Sequence, residues 1–300
     1  MADSPLELIQ HLAPGEPTLP AYARLPVNHC NYPAIILGSL TFQRYPEAIF
    51  LDNVATFHQP LFNRLDNIEA AADRAVAFET YMQASFLLTA PEEAGYQAEN
   101  QENGAELRGI KHTHKKKARH KADYRKLLRG WLFDSDSREA AVMKGWVESR
   151  FGLLARNHKG PLRDFESETY FNYTQERSAG LYNTNSLESQ LDLLYSYCQY
   201  ELHRRLPNQR HYQLYRATNR LNEYDTLFQG SKSSSAVILN NLTSFSSSLE
   251  QCDSFGDTLL QCQVPFSKIL FFPDLLPGAF RCESEYIVLG GLYQVSKVAI

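Results

Sequence analysis

Three sets of residues within positions 211–300 have types and spacings suited to chemistry on a charged substrate. The first is Arg216, in the alternating stretch His211–Ala217, where Tyr212, Leu214 and Arg216 share one side of a strand. A guanidinium beside a tyrosine and a leucine is costly to bury unless an anion meets it, whereas at a strand end its head stays in water. The second is Asn240–Ser248, reading N-N-L-T-S-F-S-S-S, which follows directly from the strand-like Ala236–Leu242. Hydroxyls both donate and accept, so at a strand end they can orient a ligand or a carboxylate; a serine-rich turn leading into a helix has the same composition. The third is Glu283-Ser284-Glu285, running straight into Tyr286–Leu289. On a strand both carboxylates face the side of Ile287 and Leu289, while Ser284, Tyr286 and Val288 face the other. Two acids on an apolar face repel each other and lose hydration, so at least one carboxyl should titrate above its ordinary range. Such a pair suits a site that meets a cation or a transition state carrying positive charge.

Other chemistries lack their signatures. The chain has no GxGxxG after a strand, no GxxxxGK[ST], no HExxH and no GxSxG. Its nine histidines do not pair with carboxylates or cysteines at ligand spacing, so no metal is expected. Cys198 and His203, five residues apart on a helix, do not share a face. Five cysteines with no CxxC pair argue against a disulfide framework and suit a reducing cytoplasm. The acidic start, Met1–Gln10, has no basic region followed by an apolar run, so no signal peptide is read, and no apolar stretch approaches a membrane span. A net charge of −4 gives no general pull toward nucleic acid or membrane.

The elements that must position these residues read as helices first and strands later, an α+β pattern. Apolar residues at three- and four-residue steps predict a helix over Leu61–Leu88, another beginning near Asp136 with Asp136 as cap and Glu139 in support, and a third over Leu187–Leu206. A shorter helix is expected over Asp123–Phe133. Strands are expected at His211–Ala217, Ala236–Leu242, Thr258–Phe266, Lys268–Phe272, Glu283–Leu289 and Tyr293–Ile300, with Gly290-Gly291 breaking the last two. We place a mostly helical region at 1–160 and a catalytic core at 161–300, forming one continuous unit. A charged loop lies near 91–121: Pro91–Leu107 has five acids and no Lys or Arg, then Arg108–Arg129 holds ten of the thirty Lys and Arg residues. The basic run reads as a solvated loop, and also as a candidate surface for an acidic partner.

An arginine on a first strand, Ser244-Phe245-Ser246 at the end of a second and Glu-x-Glu opening a later one resemble the R–S–E signature of arginine-specific mono-ADP-ribosyltransferases. Phe255 falls where those enzymes place an aromatic on the following helix, and Phe245 replaces the usual middle threonine of Ser-Thr-Ser. The segments Ala34–Gln43, Leu127–Asp134, Gly145–Leu153, Leu214–Arg216 with Asn219–Leu221, Asn240–Leu242 and Pro273–Gly278 are similar to the dinitrogenase reductase ADP-ribosyltransferase family. The similarity runs from about Pro33 to Val295, with Ala94–Arg119 unmatched.

That resemblance implies a mixed, mainly antiparallel two-sheet core with an NAD cleft. It implies that Arg216 meets a phosphate or ribose oxygen of NAD, that Ser244 and Ser246 belong to the NAD site, and that Ser244 orients Glu285, the residue at the reacting ribose. It gives Glu283 the task of holding and deprotonating the acceptor arginine, and makes Phe271–Arg281, with Phe280, the loop that presents the protein substrate. The implied substrate is dinitrogenase reductase, the nitrogenase iron protein, and the implied regulator is a PII signal-transduction protein; NAD is the co-substrate, without metal, nucleic acid or a membrane span, in the cytoplasm. Two alternatives stay open at this point: the same chemistry with another acceptor or water, and a non-catalytic module keeping the fold.

Overall fold

The structure is a computed structural model that describes residues 16–88, 122–218, 225–229, 234–253, 256, 258–278, 280 and 284–298. Helices occupy the first part: α1 (Ala34–Leu37), α2 (Leu40–Arg44), α3 (Val54–Phe57), α4 (Gln59–Asp66), α5 (Ala71–Ser85), α6 (Tyr124–Phe133), α7 (Arg138–Phe151), α8 (Glu168–Gly180) and α9 (Ser186–Arg205). Strands follow: β1 (His211–Thr218), β2 (Asp225–Gln229), β3 (Ser234–Ser246), then helix α10 (Leu249–Asp253), β4 (Thr258–Pro265), β5 (Ile269–Phe271) and β6 (Glu285–Val298). The class is α+β, as the sequence pattern implies.

Local chemistry explains the boundaries. Asp123 caps α6 by accepting from the Arg125 amide at 2.8 Å. The next cap lies one residue beyond the expected one: the Ser137 hydroxyl accepts from the Ala140 amide at 3.1 Å, and Asp136 instead binds Lys144 at 3.0 Å. The expected helix Leu61–Leu88 is broken, because Asn67 ends α4 by turning its amide onto the Arg64 carbonyl. Buried Arg74 then donates to the carbonyls of Ile68 (3.1 Å) and Glu69 (2.5 Å), fastening the connection between α4 and α5. Helix α8 was not anticipated; only Tyr173 and Gly180 of it are buried, so its apolar period is faint. The apolar stripe of α9 is as expected, with Leu187, Leu191, Leu194, Cys198 and Leu202 all buried. Each such leucine contributes about 2 kcal/mol by leaving water. Helix α9 also fastens to the sheet by donating from Tyr195 to the Ser267 carbonyl (2.7 Å) and from Gln199 to the Ile269 carbonyl (2.8 Å).

Every strand pairing is antiparallel, and hydrogen bonds link all six strands in the order β2-β3-β1-β4-β6-β5, with β3 also paired to β6. The pairs β3–β6, β6–β4, β4–β1 and β1–β3 therefore close on themselves, and the sheet curls into a ring. One hydrophobic cluster runs from Leu19 through α7 and α9 to Val295, joining the helical part to the sheet.

Gly290-Gly291 does not break the last strand. Strand β6 runs through both glycines because its neighbours leave room for nothing larger. A Cβ on Gly290 would lie 1.8 Å from the Asn240 carbonyl oxygen, and one on Gly291 would lie 2.7 Å from the Gly38 Cα. Opposite them β3 bulges between Leu239 and Leu242. The bulge residues Asn240 and Asn241 tie β3 to α7 and the segment after it: Asn241 donates to the carbonyls of Lys144 (2.8 Å) and Leu153 (3.1 Å), and Asn240 donates to that of Asn157 (2.9 Å).

Candidate active site

Register places the three motifs together. Strand β3 aligns Ser244 with Ile287 and Ser246 with Glu285, so Ser244 and Glu285 are diagonal neighbours on one face of the β3–β6 pair. The Ser244 hydroxyl donates to a carboxylate oxygen of Glu285. Strand β1 meets the end of β3 at Tyr215↔Ser246, and from the next position Arg216 donates through Nη1 to the Ser244 carbonyl at 2.8 Å. Ser244 thus links the guanidinium on one side to the carboxylate on the other. Phe245 points the opposite way, buried with its ring 6.3 Å from that of Tyr293. Having phenylalanine at the middle of Ser-x-Ser therefore alters the core and leaves the hydroxyl-bearing face intact.

Burial pushes the Glu285 carboxyl above the ordinary glutamate range, while the Ser244 hydroxyl and the Arg216 charge pull it part of the way back. The direction agrees with the sequence expectation, and of the two causes given there the one resolved is loss of hydration. The site therefore presents a carboxylate that can meet a sugar hydroxyl or a developing positive charge, a hydroxyl that holds that carboxylate, and a guanidinium that can meet an anionic group.

A fourth residue belongs here that the sequence reading did not assign to the site. Buried Trp131, on α6, donates its indole N–H to the Ser244 hydroxyl oxygen at 2.9 Å. It lies in one of the segments that carry the family resemblance, but no motif singles it out. The remaining predicted residues are placed less centrally. Ser246 lies opposite Glu285, and its hydroxyl accepts from the Ser248 amide at 3.0 Å. Phe280 is half-buried edge-on against Phe271, with ring centroids 5.5 Å apart; the turn before it has Gly278 at φ 78° with open space around it. Glu283 and Phe255 lie outside the described residues. The alternation inferred for Glu283-Ser284-Glu285 does not hold as stated, because β6 begins at Glu285 and Ser284 is left-handed at φ 58°.

Among the described residues no group of three or more His, Cys, Asp or Glu is placed to share a metal ion, and no helix is long and apolar enough to cross a membrane. Cys30, Cys198, Cys252 and Cys262 are free thiols.

Comparison with known proteins fixes the family. The family model described as dinitrogenase reductase ADP-ribosyltransferase matches residues 27–297. The protein of Rhodospirillum rubrum named NAD(+)–dinitrogen-reductase ADP-D-ribosyltransferase is 36% identical over 270 residues, covering 89% of this chain and 93% of that one. No solved structure matches. The chain is thus an NAD-dependent ADP-ribosyltransferase in class. Within that class it belongs to the dinitrogenase reductase ADP-ribosyltransferase family.

Proposed function

We propose that this enzyme moves ADP-ribose from NAD to an arginine of dinitrogenase reductase, releasing nicotinamide and reversibly inactivating nitrogenase. One observation carries the reading: Arg216, Ser244 and Glu285, from three separate strands, are linked through Ser244 at one end of the curled sheet. The name of the Rhodospirillum rubrum relative supplies the substrate.

The donor set suits NAD. Arg216 offers a planar fork to a phosphate or ribose oxygen, and Glu285, held by Ser244, offers an acceptor to a ribose hydroxyl. We read the two faces of the curled sheet, β5–β6–β3 and β1–β4, as the two-sheet core, with the NAD cleft between them; Ser246 borders that cleft. NAD supplies the bond between ribose and nicotinamide that breaks. Glu285, fixed beside the ribose, stabilises positive charge more as the bond breaks than before, and so lowers the barrier. Ser244 keeps that carboxylate aimed. Glu283 holds the acceptor guanidinium, whose solution pKa is above about 12, and takes the proton it loses as its nitrogen bonds to the ribose carbon. The turn through Phe280 presents the acceptor protein. A PII protein regulates the enzyme, and both work in the cytoplasm.

The test mixes the full chain with NAD and purified iron protein and follows mass. A gain of one ADP-ribose on a single arginine is expected; modification of another residue type, or NAD consumption with no protein modified, overturns the assigned acceptor. The Glu283→Ala chain should keep nicotinamide release into water while losing arginine modification. Its modifying the iron protein at the normal rate would refute the role given to Glu283.

A further inference from the structure

We propose that Trp131 is a positioning residue for the transfer reaction: its indole N–H occupies the acceptor side of the Ser244 hydroxyl and commits that hydroxyl's one proton to Glu285. The inference rests on the function proposed above and adds a residue to it. A serine hydroxyl has a single proton and two lone pairs, and its rotor chooses among partners. With the indole donating to the oxygen at 2.9 Å, the proton must point elsewhere, and the Glu285 carboxylate is the acceptor it meets. The chain of donation runs one way, from Trp131 to Ser244 to Glu285, and each bond polarises the next.

The indole is itself held. The ammonium of Lys144, 1% exposed, lies 5.9 Å from the centre of the Trp131 ring. Lys144 donates to Asp136 (3.0 Å), to the Asn157 carbonyl (2.9 Å) and to Nδ1 of buried His158 (3.2 Å). An ammonium only donates, so Nδ1 must accept, and the imidazole proton sits on Nε2, where it is given to Glu176 at 2.8 Å. Glu176 in turn receives Lys159 at 2.5 Å. The same cluster anchors the strand that carries Ser244, because Asn240 shares the Asn157 carbonyl and Asn241 binds the Lys144 carbonyl. Donor and hydroxyl are therefore both referenced to one cluster built on buried Lys144 and His158, on elements far apart in sequence. A structural role alone does not require the indole to end on this hydroxyl.

Two measurements on the full chain test this. The chain has two tryptophans, Trp131 and Trp146, so a ¹⁵N-labelled sample gives two indole signals, and Trp131→Phe assigns them. Ser244→Ala should move the Trp131 signal and leave that of Trp146, which donates to Asp192 at 2.7 Å, in place. In kinetics, Trp131→Phe should lower kcat for nicotinamide release by about ten- to a hundredfold with little change in KM for NAD. In a Ser244→Ala background the same change should alter kcat by less than about threefold, because its route is already gone. Equal falls in both backgrounds, or an unmoved Trp131 signal, would overturn the inference. A wild-type chain that releases no nicotinamide refutes the transferase reading instead, and the indole signals still decide whether Trp131 holds Ser244.

Discussion

Arg74 and Glu201 meet as a two-pronged pair, Nε to one carboxylate oxygen at 2.6 Å and Nη2 to the other at 2.9 Å, with both side chains buried. Arg205 adds a third bond to the same carboxylate at 2.7 Å, and Arg74 gives its Nη1 to two carbonyls at the break between α4 and α5. Across the molecule, Arg216 and Glu285 are brought together by a neutral intermediary: Ser244 receives the guanidinium on its carbonyl and gives its hydroxyl to the carboxylate. Glu285 is only partly buried. The first arrangement satisfies its charges internally and closes a joint in the helical layer. The second aims the Glu285 carboxylate through a neutral hydroxyl and leaves that side chain partly exposed. The same two residue types bind each other directly in one place and through a serine in the other, and what separates the two arrangements is the group placed between.

Substitutions should separate the two sharply. Glu285→Gln keeps the shape and the Ser244 contact but removes the charge, so nicotinamide release should fall by about a thousandfold or more while the urea midpoint barely moves. A mutant with near-normal release would place the chemistry elsewhere. Glu201→Gln should do the reverse, costing about 3–5 kcal/mol in urea denaturation because Arg74 is left buried beside a neutral amide, with turnover retained by the chains that stay folded. Arg216→Lys keeps the charge and loses the planar fork; KM for NAD should rise about tenfold with a smaller change in kcat. A change confined to kcat would argue that Arg216 does not hold the dinucleotide.

The smallest effect is in the pH profile. Burial raises the Glu285 carboxyl, so the protonated, inactive form persists to higher pH than for an ordinary glutamate. Nicotinamide release should therefore decline on acidification beginning above the ordinary carboxylate range, and Ser244→Ala should shift that limb further up, since the hydroxyl stabilises the ionised form. A limb at the ordinary glutamate value, unmoved by Ser244→Ala, would detach Glu285 from the site's titration.

Residue type and order along the chain proposed Arg216, Ser244 and Glu285, and the strands bring the three together, because side chains on a strand alternate in steps of two and these stand near strand ends. The limits of that logic are visible at Ser284, whose left-handed backbone interrupts the alternation, and at Gly290, where a residue pair that reads as a turn proves to be a close crossing of two backbones. The apolar spacing of Leu61–Leu88 gave no sign of the stop at Asn67, since the break is closed by Arg74 reaching back and by Glu201 from another helix. Trp131 was hidden for a related reason. Its partner is 113 positions away, and nothing local distinguishes an indole that fills a core from one that donates to a serine.

At Gly290 and Gly291 the strand bearing Glu285 rests on the main chain of Asn240 and Gly38, and the Leu292 amide donates to the Gly38 carbonyl at 2.8 Å. A seat made of backbone leaves no rotamers to adjust and no methylene to trim, so its tolerance is set by atomic radii. The hardest constraint on the bearing of the Glu285 carboxylate thus comes from two positions with no side chain at all, reaching as far as the first helices, and a single methyl added there should misalign a site it never touches.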